Sequence, residues 1–452
     1  MRKFFSLILA IVLCISMFAC NDSKGNTDVA TEATTTAEPT EATTTTENKT
    51  DTTAPTENEE VVFVPRSDDD KIKDGNYVKV SEIDSKYIQL NRNGKITLKW
   101  QTPQIEIGGI PDPMTNGGQF YRMDYALSQT EGGNYYKNHM NNNIQNNNWH
   151  TSGGTIRFRT TSKTMTIMAT MHHATGAGDR FTGRGMAGFD VYTGTGTDRV
   201  YLGGRMQNFT STSMMTETVT LPAGVDGYNE VLINMPIYSG ISNLLITLDA
   251  DSLIAEPLAR DYDKPILYYG SSITQGACAS RPGTAYPNML CRMLNTDCRN
   301  LGYSSGAHGE DDTIAYLAAQ EMCAFVMDYD HNANYDQLEK SHYKLYKAVR
   351  EAHPDIPIIM VSRPVFTVDF DNKSPSYEDE ARLKLIQKNY KMAKNSGDEN
   401  VYLVNGYEEF FPIRAMADIY TGDFSHPNDT GMYFMGLAIY KKLAPALKAT
   451  IN

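Results

Sequence analysis

Four short stretches carry residue types that together could perform acyl transfer. "YYGSSITQGA" holds Ser271 and Ser272 between two glycines, directly after the apolar run "KPILYY". A serine hydroxyl is a weak nucleophile at neutral pH and needs a base, usually His, which is itself oriented by a carboxylate. Of the nine histidines, His426 is the best placed: it lies in "TGDFSHPND", with Asp423 three residues earlier. A carboxylate at that spacing can hold one ring nitrogen while the other faces outward. The chemistry also needs donors for an oxyanion, each typically worth about 10²–10³ in rate. In "RNLGYSSGAHGE" the backbone N–H of Gly306 is open to approach, and in "FVMDYDHNANY" Asn332 offers a side-chain amide. Each residue also has an ordinary explanation. Polar turns after strands are common, Gly302 and Gly306 suit turns, and Asp429 reads as a helix N-cap.

Other chemistry is less well supported. Asp328, Asp330 and His331 sit close in sequence, but no second cluster completes a zinc set. His172 and His173 are adjacent on a strand, so they point to opposite faces and do not chelate together. "GTGTDRVYLGG" is glycine-rich but no helix follows it, so it is not a phosphate loop. The expectation is a site with no metal and no cofactor.

The elements that must position these residues begin near Ala259. From "PILYYG" onward, short apolar runs alternate with helical patterns such as "AYPNMLCRMLN", "YDQLEKSHYKLYKAVREAH" and "DTGMYFMGLAIYKKLAPAL". Strands alternating with helices predict βαβ units and a parallel sheet covered on both faces. Ligand sites in such sheets lie at the carboxyl ends of the strands, which is where Ser271, Ser272, Gly306 and Asn332 fall. Residues 61–258 read differently. "TIRFRTTSKTMTIMATM" alternates apolar and polar positions, and Gly, Asn and Asp clusters separate further strand-like runs. These predict an all-β sandwich or jelly roll, followed by an α/β domain over 259–452.

The amino terminus is of another kind. "MRKFFSLILAIVLCISMFAC" has two basic residues, an apolar run and a small residue before Cys20, the form of an export signal over 1–19. Cys20 after "MFA" resembles a bacterial lipobox, which implies lipidation at Cys20. Residues 20–60 are Thr-, Glu-, Ala- and Pro-rich with almost no large apolar groups, and read as a disordered acidic tether. The formal net charge of −13 argues against nucleic acid as a partner. Cys278, Cys291, Cys298 and Cys323 remain in the exported body, with no pairing assigned.

Four strand-end loops carrying, in chain order, Ser, Gly, Asn and Asp-x-x-His resemble the SGNH hydrolase (GDSL esterase) family, over about 261–447. "GSSITQG" is similar to its first block, with Ser272 at the nucleophile position, "NLGYSSG" to the second, "DYDHNA" to the third and "DFSHPND" to the fifth. Residues 117–208, through "FYRMDYAL", "IRFRT" and "GFDVY", resemble the small β domain that precedes the hydrolase in one branch. The chain departs from the family pattern at Ser271, where Asp is usual, and in "YSSG", where a second Ser stands where Gly is usual. Either Ser305 or Gly306 could then supply the second backbone donor; the expectation is Gly306.

The resemblance implies a flavodoxin-like three-layer α/β/α domain. It implies ester hydrolysis by Ser272, His426 and Asp423, with the Ser272 N–H, the Gly306 N–H and the Asn332 amide as the oxyanion hole. The expected substrate is an acetylated polysaccharide or oligosaccharide of xylan type, met at the bacterial cell surface by a lipid-anchored enzyme. A lipase or thioesterase, and a catalytically inactive surface carbohydrate-binding protein, are the alternatives. The strand-end loops are small and polar, through Ala277, Ala279, Ser280, Ser304, Ser305, Ala307, Asp330, His331 and Asn334, and predict a shallow acyl pocket.

Overall fold

The computed structural model describes residues 68–173, 181–204, 214–366 and 377–449. The leader, Cys20 and the acidic tether lie outside the described residues. No helix among the described residues is long and apolar enough to cross a membrane.

The first half builds two antiparallel sheets. One has five strands, ordered Ile88–Arg92, Lys95–Lys99, Gly240–Asp249, Thr164–His173 and Met214–Thr220. The alternation in the fourth of these faces the core as expected: Met165, Ile167, Ala169 and Met171 are buried. Its first hairpin turns at Asn93-Gly94, both with positive φ (54° and 71°), the geometry that two-residue hairpins demand. The other sheet has seven strands, with Thr155–Thr160 at its centre paired to Asn229–Asn234, Leu253–Ala255 and Glu106–Gly108. Thr155–Thr160 is buried along its whole length. Ile156 and Phe158 fill the sandwich core. Arg157 and Arg159 are buried on the opposite face, where Arg157 donates to Glu230 (2.9 Å) and to the Leu258 carbonyl, and Arg159 donates to the Glu256 carbonyl (2.7 Å). The two arginines thus tie the segment entering the second half to the sheet.

The second half is a five-stranded parallel sheet: β1 (Ile266–Gly270), β2 (Cys298–Gly302), β3 (Ala324–Asp328), β4 (Ile358–Val361) and β5 (Val401–Val404), in the order β2-β1-β3-β4-β5. This is the flavodoxin-like order, with its reversal at β1 and β3. Both faces are covered, which is why β1, β3, β4 and β5 read as largely apolar runs, while β2 carries the buried polar Arg299 and Asn300. Leu267, Tyr269, Phe325 and Met327 pack on one side; Ile266, Tyr268, Val326 and Ile359 pack on the other. The covering helices are those the periodicity predicts, including Tyr286–Met293, Tyr335–Ala352 and Asp429–Ala449.

The two halves share a core. Met123, Met140 and Ile144 precede the α/β region in sequence but bury with Leu301, Tyr303 and Ile314 of it. They lie on or beside short helices at Tyr125–Ser128, Tyr135–His139 and Asn142–Asn147, too short to leave a helical period in the sequence. No disulfide joins Cys278, Cys291, Cys298 or Cys323 among the described residues.

Candidate active site

β1 ends at Gly270, where a Cβ would stand 1.9 Å from Thr274 Oγ1 and 2.5 Å from the Asp328 carbonyl. Only glycine permits the chain to turn that sharply into the four-residue helix Ser272–Gln275. Ser271 is fully buried and caps that helix, its hydroxyl accepting from the Ile273 N–H at 3.1 Å. Its oxygen is therefore committed to the fold. Ser272 is the first helical residue, and its hydroxyl donates to His426 Nε2 at 2.9 Å. The structure thus separates the two serines that the sequence left side by side.

The loop before the last helix closes on itself to present Asp423 and His426. The His426 N–H donates to Asp423 Oδ1 at 2.7 Å, the Ser425 N–H to the same oxygen at 3.0 Å, and the His426 ring nitrogen Nδ1 to Oδ2 at 2.8 Å. Burial raises the Asp423 carboxyl, but the hydrogen bonds from His426 and Ser425 outweigh it and leave its pKa below the ordinary value. An ionised Asp423 fixes the His426 proton on Nδ1, and Nε2 is left with a lone pair toward Ser272. Asp429 is not the N-cap of the following helix. Asn428 caps it, accepting from Thr430 and Gly431 (3.0 and 3.2 Å). Asp429 instead reaches across to Ser280 N–H and Thr284 Oγ1, each at 2.7 Å, and clamps the loop after the Ser272 helix.

The expected donor Gly306 requires correction. Its N–H is committed to the Tyr303 carbonyl at 2.9 Å, closing a tight turn. Ser305 sits in that turn at φ 55°, a left-handed conformation that glycine normally takes. This accounts for the departure in "YSSG": Ser305 occupies the glycine-type position. The Ser305 N–H has no partner among the described residues. Asn332 accepts from the Ala307 N–H through Oδ1 at 3.4 Å, so its amide nitrogen is the end left to donate.

Several loop residues expected to line a pocket are structural. Asn334 caps the Tyr335–Ala352 helix in a capping box with Gln337. Asp330 is buried against Arg382, whose Nε donates to it at 2.9 Å. Ala277, Ala279 and Ala307 are buried. His331 donates or accepts at Ser425 Oγ (3.1 Å) with its ring centred 6.0 Å from that of His426. Burial, then the charges of His426, Arg363 and Arg382, push its pKa down to about 3.

The β half supplies neighbours that loop reading missed. Phe181 meets the His426 ring edge-on at 6.0 Å and stacks on Tyr238, whose hydroxyl lies 3.4 Å from the Ser272 carbonyl. Gln275 donates to His150 Nδ1 at 2.9 Å while its oxygen accepts from the Ser304 N–H at 2.9 Å. Asn143 donates to the Ser305 carbonyl at 2.6 Å and Asn141 to the Gly306 carbonyl at 2.8 Å. The buried Arg122 donates to the Asn300 carbonyl at 3.3 Å and also to that of Gly302, and lies over the Tyr303 ring. The visible signal was the amide run "NNNIQNNNWH", unusual for a strand-forming region.

Comparison with known proteins agrees with this arrangement. Residues 263–444 match the GDSL-like lipase/acylhydrolase family, and residues 131–254 match the N-terminus of the SGNH hydrolase-type esterases. The two matches place an SGNH hydrolase-type region over 263–444 and the N-terminal region of such esterases before it, and they support the esterase/acylhydrolase class. Among solved structures, a GDSL-like lipase candidate from Bacteroides ovatus is similar at 23% identity and TM-score 0.66, over 78% of this chain and 98% of that one. The salicylyl-acyltransferase SsfX3 of a tetracycline biosynthetic pathway is similar at 17% identity and TM-score 0.62, again over 78% and 98%. A family two carbohydrate esterase from Clostridium thermocellum is similar at 15% identity and TM-score 0.47, over 66% and 93%. A search of curated proteins finds no match.

Proposed function

We propose that this chain is a serine esterase that removes O-acetyl groups from a cell-wall polysaccharide of xylan type. The observation that carries the chemistry is the unbroken relay Ser272–His426–Asp423, with links of 2.9 and 2.8 Å. Ser272 Oγ attacks the acyl carbon as His426 Nε2 takes its proton. The C=O electron pair moves onto oxygen, and we assign the donors that hold it as the N–H groups of Ser272 and Ser305 and the Asn332 amide. When the C–O bond breaks, His426 returns the proton to the departing sugar hydroxyl. Water, deprotonated by the same nitrogen, then releases acetate and regenerates Ser272.

The acetyl preference rests on the small, polar residues that the strand-end loops leave accessible, Ser304 and Ser305 among them, which offer no apolar slot to a longer acyl chain. Each methylene of a longer acyl chain gains about 0.8 kcal/mol only where the site can bury it. The test is a panel of acyl esters on the purified chain, with acetate release from acetylated xylan in parallel. kcat/KM is expected to be highest for acetyl and to fall roughly tenfold or more by butyryl, a loss of about 1.4 kcal/mol. Phe181 beside His426 is the observation that favours the lipase reading, and a preference for octanoyl would establish it. The leader, Cys20 and tether support placing the enzyme at the cell surface on a lipid anchor.

A further inference from the structure

The Asp423–His426 pair has a third neighbour that the esterase mechanism does not use. Cys278 lies in the loop after the Ser272 helix, buried, at φ 64°. One ligand atom from each of Cys278, Asp423 and His426 lies within 4.8 Å of the other two, the only group of three such residues among those described. The close approach depends on Gly422, where a Cβ would stand 3.2 Å from Cys278 Sγ and 3.4 Å from its Cβ. Any larger residue there would press the thiol away from the Asp423 loop.

We propose that Cys278, Asp423 and His426 form an inhibitory site for a borderline-soft divalent cation, of which Zn²⁺ is the best matched. The donor set is one sulfur, one imidazole nitrogen and one carboxylate oxygen. Zn²⁺ accepts all three types and imposes no geometry of its own, and three protein ligands leave a fourth position for water or Ser272 Oγ. Mg²⁺ and Ca²⁺ require oxygen ligands and find only one here. Binding releases the thiol proton to solvent. It also disables the relay by either route. Capture at Nδ1 breaks the bond that orients the ring, and capture at Nε2 removes the lone pair that accepts the Ser272 proton. The inhibition rests on the catalytic reading of Asp423 and His426; the binding does not.

The experiment separates the two. Zn²⁺ is titrated calorimetrically into the full, chelator-treated chain and into Cys278→Ala. One equivalent is expected to bind the unaltered chain, and the loss of one ligand should weaken binding at least about tenfold, since even outer contacts to a metal are worth 10–100-fold. Co²⁺ in place of Zn²⁺ should give a sulfur-to-metal charge-transfer band that Cys278→Ala lacks. With an acetyl ester, Zn²⁺ should suppress turnover, EDTA should restore it, and Cys278→Ala should keep its basal rate in the presence of Zn²⁺. Cys278→Gly serves as the second variant, because glycine accepts the left-handed backbone without strain. Equal Zn²⁺ affinity in the unaltered chain and both variants, or equal suppression by Mg²⁺, would overturn the site. A chain that binds Zn²⁺ through Cys278 but hydrolyses no ester would instead refute the esterase reading.

Discussion

His150 Nδ1 lies 2.9 Å from the Gln275 amide nitrogen, so a side chain of the β half is bonded to the helix that carries Ser272. The same Gln275 receives the Ser304 N–H through its oxygen. One amide therefore couples the β half, the Ser272 helix and the loop that holds Ser304 and Ser305. Removing His150 loosens this coupling without touching a reacting group. His150→Ala is expected to lower kcat roughly tenfold with KM nearly unchanged, the worth of one or two buried hydrogen bonds. Steady-state kinetics checks this. An unchanged kcat would reduce the contact to a stability role.

The two serines of the first turn are predicted to part company completely. Ser272→Ala should lower kcat by about 10⁴-fold or more, as loss of a serine nucleophile does. Ser271→Ala should keep most activity and cost about 1 kcal/mol of stability, the typical value of a lost N-cap. Activity assays paired with denaturant melts distinguish them, and a reversed result would shift the nucleophile by one residue.

The oxyanion assignment separates Ser305 from Gly306. Asn332→Ala should reduce kcat by about 10²–10³. Asn143→Ala frees the Ser305 carbonyl, and its expected cost is no more than roughly tenfold, since it positions the donor and does not supply it. Ser305→Gly keeps the N–H and relieves a left-handed serine, so it should retain activity and gain about 1 kcal/mol of stability. A loss of activity in Ser305→Gly would show that its hydroxyl matters.

Asp328 lies against the Ser272–Gln275 helix, where Thr274 Oγ1 (2.8 Å) and Tyr286 OH (2.7 Å) both donate to its Oδ2. Burial pushes its pKa up to about 7; the Tyr286 and Thr274 bonds oppose the rise and the Asp330 charge adds to it. Between about pH 4 and pH 7 the folded chain holds this proton and the unfolded chain does not. The stability contributed is therefore present below the unfolded value and lost as pH rises through about 7. Relative to Asp328→Asn, the unaltered chain should lose up to about 4 kcal/mol over that range. Urea melts at the two ends of the range measure it, and parallel behaviour of the two proteins would contradict the shift.

The surface placement has its own test. Cys20→Ala should move the protein from the membrane to the soluble fraction with its specific activity intact. Retention in the membrane would reject lipidation at Cys20.

Much of this was readable in the residues themselves. Period-two alternation in "TMTIMATM" and continuous apolar runs such as "ILYY" report which faces are buried, because strand geometry imposes that period locally. The Asp423–His426 bond spans three residues, and a short loop alone can close it. Other features were decided only by packing. Ser271 and Ser272 are alike in sequence, and only the capped helix makes one oxygen an acceptor for the backbone and turns the other toward His426. Whether Ser305 or Gly306 offers its N–H depended on a turn whose carbonyl partners, Asn143 and Asn141, come from 162 and 165 residues away. Contacts at that separation leave no periodic trace. They arise when Met123, Met140 and Ile144 bury against Tyr303, an association driven by removal of apolar surface from water, which then carries the amides of the same segment onto the loop they hold.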